Sequence, residues 1–81
     1  MLWIHHGFKN ILNMFNECIN LSGEITLDCN ITEKDNAKYL FDNAATADGA
    51  KITAKYTSNV GEDVLNEIKT TATGNVEFVS I

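Results

Sequence analysis

A chain of 81 residues makes one small domain, residues 1–81, and buries only about 60% of its unfolded surface. Its 44% hydrophobic content excludes a disordered chain. Six basic against eleven acidic residues, a net charge of −5, argue against duplex nucleic acid and anionic membrane surfaces, because phosphate contacts dominate both.

The first residues run Trp3-Ile4-His5-His6-Gly7-Phe8-Lys9-Asn10 into an apparent amphipathic helix. Over residues 8–21, Ile11, Leu12, Phe15, Cys18 and Ile19 recur at helical spacing, with Asn10, Asn13, Asn16, Glu17 and Asn20 opposite. Ser22-Gly23 ends it. Residues 24–32 alternate, with Ile25, Leu27, Cys29 and Ile31 on one face, as one strand or two short ones. Asp35 or Asn36 caps a second helix over Ala37, Leu40, Phe41, Ala44 and Ala45. Asp48-Gly49 marks a turn, and Lys51 to Thr57 is the clearest strand, with Ile52, Ala54 and Tyr56 inward.

Glu62-Asp63 opens a third helix carrying Val64, Leu65 and Ile68, ended by Gly74. Lys69-Thr70-Thr71-Ala72-Thr73 favours a strand by propensity, so helix and strand both stand for residues 62–74. Val76 to Ile81 is a last strand. The order α-β-(β)-α-β-α-β, with no internal repeat, predicts an α+β fold. Its form is a two-layer α/β sandwich, a small, mostly antiparallel sheet with about three helices on one face.

Read in this order, the chain resembles the histidine-containing phosphocarrier protein of the sugar phosphotransferase system (HPr) and its relatives. Short stretches carry the resemblance: Trp3-Ile4-His5, Glu24-Ile25-Thr26-Leu27, Asn36-Ala37-Lys38, Asp48-Gly49-Ala50-Lys51-Ile52-Thr53 and Gly61-Glu62-Asp63. It implies phosphoryl acceptance on His5 or His6 at a helix start, whose N–H groups stabilise the phosphoryl oxygens. Three features depart from the family. His5-His6-Gly7-Phe8 stands where the family has His-x-Arg-Pro, so the arginine is absent. Tyr39 takes the place of the regulatory serine. The family's first strand has no counterpart before the histidines, and a circular rearrangement would put residues 76–81 in its place, beside residues 51–57.

A phosphocarrier-type domain that has lost its chemistry and kept a protein partner is therefore the leading expectation. The alternative is a small structural or assembly protein, a β-rich domain with one helix like that of a phage tail tube, whose exposed edges favour self-assembly. No nucleophile–base pair, glycine-rich phosphate loop or metal-ligand spacing is present, so neither an enzyme nor a cofactor or metal site is expected. No apolar run approaches the roughly 18 residues of a membrane span, and no signal-peptide pattern opens the chain. Cys18 and Cys29 suit a reduced, cytoplasmic protein. The oligomeric state reads as monomer or weak homodimer.

Overall fold

The computed structural model describes residues 2–81. Its strands are β1 (Leu2–Ile4), β2 (Gly23–Leu27), β3 (Ile52–Tyr56) and β4 (Val76–Ser80), and its one α-helix, α1, spans Glu62–Thr71. The strands form a single sheet in the order β1-β2-β3-β4, and every neighbouring pair is parallel. This corrects the expected antiparallel sheet with about three helices. Parallel neighbours need a crossover after every strand, so the chain winds as stacked coils. The first coil is residues 2–22, the second 23–51 and the third 52–75, with β4 opening a fourth.

The largest departure lies in residues 8–21, which form a succession of turns and no helix. Amides of Met14, Asn16 and Cys18 donate to the carbonyls three residues back, on Ile11, Asn13 and Phe15. Between them, the amides of Ile11, Asn13, Phe15 and Glu17 donate to the carbonyls of Asn36, Lys38, Leu40 and Asp42 at 2.7–3.1 Å. Asn13 and Glu17 take φ near +60°, a left-handed conformation that asparagine tolerates better than most residues. A helix would have turned all these amides inward along its own axis. Here every second one ties the first coil to the next.

The second expected helix is likewise reduced to a 3-10 turn, Lys34–Ala37, followed by the same arrangement. Tyr39 and Asn43 repeat the positive φ of Asn13 and Glu17, and Phe41 stacks on Phe15 with ring centroids 5.8 Å apart. Asn10 to Ser22 therefore matches Asn36 to Asp48 at a constant offset, an internal repeat that the sequence reading did not see. The third coil breaks the pattern: α1 is a true helix, with Val64 and Ile68 buried. The tandem turns of the second coil end on threonine side chains instead, with Tyr39 N–H on Thr71 Oγ1 at 3.1 Å and Asn43 N–H on Thr73 Oγ1 at 2.7 Å.

The core runs through the coils. Ile4, Ile25, Leu27, Ile52 and Ala54 come from the strands, Ile11, Leu40, Phe41 and Ala44 from the turns, and Ile68 from α1. Gly74, at φ +118°, brings its backbone so close to the Ala44 carbonyl that no Cβ fits between them. β4 does lie beside β3. A strand already precedes the histidines, however, so no first strand is missing for β4 to replace.

Candidate functional site at the carboxyl ends of the strands

Parallel stacking brings the carboxyl ends of all four strands to one edge, where α/β sheets generally hold their polar groups. The residues just past β1, β2 and β3 meet there. Asp28 follows β2 and is fixed by its own amide, which donates to the Ile4 carbonyl at 2.8 Å. Its Oδ1 accepts the Thr57 hydroxyl at 2.6 Å and the Asn59 side-chain amide at 2.7 Å. These two hydrogen bonds, Thr57 first, hold the Asp28 carboxyl below the usual aspartate range, with smaller help from the His6 charge and the Trp3 side chain. Slight desolvation opposes them.

His5 and His6 lie in the turn after β1, and both are exposed. Their ring centroids are 5.9 Å apart, and His5 also packs on Phe8 at 4.8 Å. The Gly7 amide donates to His5 Nδ1 at 3.1 Å, which engages that nitrogen's lone pair. A Cβ at Gly7 would collide with the His5 ring, so glycine is what lets the ring fold back on its own backbone. No helix begins after the histidines, so the helix-start amides required for phosphoryl binding are not there: the Phe8 amide is spent on the His5 carbonyl.

The two histidines sit side by side as the sequence has them, but not at the helix start expected for them, and the carboxylate at the same edge was missed. The alternation runs on past Asp28 to Ile31 and gave no sign that β2 stops at Leu27; the one signal was Thr57-Ser58-Asn59 ending the next strand. The arrangement holds a carboxylate that accepts the Thr57 hydroxyl, with His6 close enough for its charge to act on it, and no described hydroxyl or thiol donates to either imidazole. Among the described residues, no three His, Cys, Asp or Glu side chains converge as a metal site. Cys18 and Cys29 are free thiols; Cys29 is buried, and burial raises its pKa, which makes it unreactive. A shallow depression of about 400 Å³ beside the start of α1 is lined by Asn30, Thr32, Glu62 and Asp63. Its two carboxylates oppose any anion that the helix dipole would attract. Compared with models of protein families, with characterised proteins and with solved structures, the chain matches none.

Proposed function

We propose that the chain is a structural module that associates with protein through the open edges of its stacked sheet. This is the assembly alternative, realised by parallel coils and one helix. One observation carries it: β1 and β4 bound the sheet, with no strand beyond either among the described residues. Open edges offer rows of unpaired N–H and C=O groups to another chain.

The β4 edge is the better defined. Ile52 N–H donates to the Asn75 carbonyl, and Ile81 N–H to the Tyr56 carbonyl. The alternation between these two bonds turns the amides of Phe78 and Ser80 away from β3. The broad outer face of the sheet is an unsuitable contact surface, because Lys51–Glu77 and Lys55–Glu24 ion pairs at 3.3 and 3.1 Å keep it hydrated. A weak homodimer through antiparallel β4 pairing is the simplest product, since a two-fold contact uses the same edge twice. A reducing, cytoplasmic setting belongs to the same proposal and agrees with the two free thiols. No helix among the described residues is long and apolar enough to cross a membrane.

Phosphoryl carriage on His5 or His6 draws less support, because no helix starts after β1 to aim its first amides at the group. Sedimentation velocity over a wide concentration range tests the assembly reading. The expected result is a reversible rise in mass that Ser80→Pro suppresses, since proline removes an outward amide and leaves the β3 ladder intact. A monomer at every concentration that gains one acid-labile phosphoryl group from the phosphotransferase enzyme and phosphoenolpyruvate would overturn it in favour of a carrier.

A further inference from the structure

The end of the stack formed by the first coil is unlike the rest of the surface. Exposed large apolar side chains concentrate there: Leu2, Trp3, Leu12, Met14 and Ile19 are between 37% and 48% exposed. The repeat identifies what those positions become when a coil lies over them. Leu2 and Trp3 pair in register with Ile25 and Thr26, which are 4% and 3% exposed. Met14 and Ile19 match Leu40 and Ala45, which are 0% and 1% exposed. The first coil thus has the side chains of an interior coil, and among the described residues nothing lies beyond it.

The backbone shows the same vacancy in directional form. The carbonyls of Asn36, Lys38, Leu40 and Asp42 each accept an amide from the first coil. Their counterparts in the first coil are the carbonyls of Asn10, Leu12, Met14 and Asn16, which accept no hydrogen bond from any described residue. Two such acceptor rows cannot pair with each other, so a head-to-head second copy does not satisfy this face. The tail of a second copy does not either, because α1 stands where the donating turns would be and its amides are spent inside the helix.

We infer that this end face is a docking site for one further parallel coil of the same kind, a short strand followed by tandem turns with free amides at alternate residues. The face continues the interface already formed between the first and second coils, which fixes the occupant's chemistry: it must supply amides and small apolar side chains in that alternation. The inference rests on the structural-module reading, although the two fail separately. Acid-labile phosphorylation would remove that reading, whereas the test below asks only whether the face accepts a coil.

The probe is a second copy of residues 2–24, joined directly before Leu2 in the full chain, with phenylalanine at its tryptophan position so that Trp3 remains the only indole. Residues 2–24 are used because the β1–β2 register sets Leu2 against Ile25. The added coil should slow exchange of its own amides, at the positions matching Ile11, Asn13, Phe15 and Glu17, by roughly tenfold or more. Trp3 emission should shift to shorter wavelength. Leu12→Lys with Met14→Lys on the receiving face should abolish both effects. In the unextended protein the same pair should leave folding intact, because both side chains already face solvent. An added coil that exchanges like an unstructured peptide, with Trp3 unshifted, would overturn the inference. So would a concentration-dependent dimer of the unextended chain that itself shifts Trp3, because the face would then belong to a second copy.

Discussion

Gly74 and Asp28 are the two positions where a single side chain has the clearest leverage. At Gly74, positive φ and contact with the Ala44 carbonyl coincide, so Gly74→Ala should cost roughly 3 kcal/mol in urea unfolding. Gly49, at φ +81° with open space around it, should lose only about 1 kcal/mol on the same change. Asp28 makes stability depend on acid. Its folded pKa is held below the unfolded value near 3.8, first by the Thr57 hydroxyl and then by Asn59. Its contribution is therefore fully present above that value and is lost as pH falls through the lower folded pKa. Urea midpoints of the wild type and Asp28→Asn should differ most near neutrality and converge as pH falls through the lowered folded pKa.

At the scale of the element, the turns of the second coil depend on threonines from the third. Thr73 Oγ1 accepts the Asn43 amide at 2.7 Å and donates to Asp42 Oδ1 at 3.1 Å. Thr73→Val, which keeps the shape and removes both bonds, should cost about 1 kcal/mol and speed exchange of the Asn43 amide. Phe41 has a larger effect. It is fully buried between Phe15 and Phe78, with centroids at 5.8 and 6.0 Å, and Phe41→Ala should cost about 3–5 kcal/mol, enough to unfold a domain of this size by circular dichroism.

The elements also show what the sequence could and could not convey. Ile25 and Leu27, then Ile52, Ala54 and Tyr56, alternate as strands with one buried face, and the structure puts strands there, although β2 stops at Leu27. Val64 and Ile68 stand at helical spacing and form the buried stripe of α1, which decides between the helix and strand readings of that stretch. Ile11 and Phe15 have the same spacing and are not helical. Four residues separate them because two successive turns each advance the chain by two, so periodicity alone cannot tell the cases apart. The distinguishing sign was asparagine at 10, 13 and 16, of which only Asn10 recurs at the same offset, as Asn36. Between the two stretches only Asn10 and Asn36, and Phe15 and Phe41, are identical, and neighbours such as Leu12 and Lys38 or Asn13 and Tyr39 hide the repeat. Strand direction was not readable at all, because nothing local distinguishes a crossover from a reversal. The candidate site shared that fate: the histidines were visible, but Asp28 joins them only if β1 and β2 run the same way.

The whole molecule measures 34 × 23 × 18 Å, and its strands pair only with immediate neighbours, in chain order. Stability of such a stack is close to a sum of nearest-neighbour terms. Amide exchange should therefore be slowest along the β2–β3 ladder and faster at β1 and β4, a gradient that hydrogen-exchange mass spectrometry can read. Because β1 and β4 lie on opposite edges, tension applied between Leu2 and Ile81 loads the outermost strands first. Each released coil hands the load to the next, so no single element bears it all. Under an optical trap the protein should lengthen in a few small, separately reversible steps at low force, as a soft spring does, without one abrupt rupture.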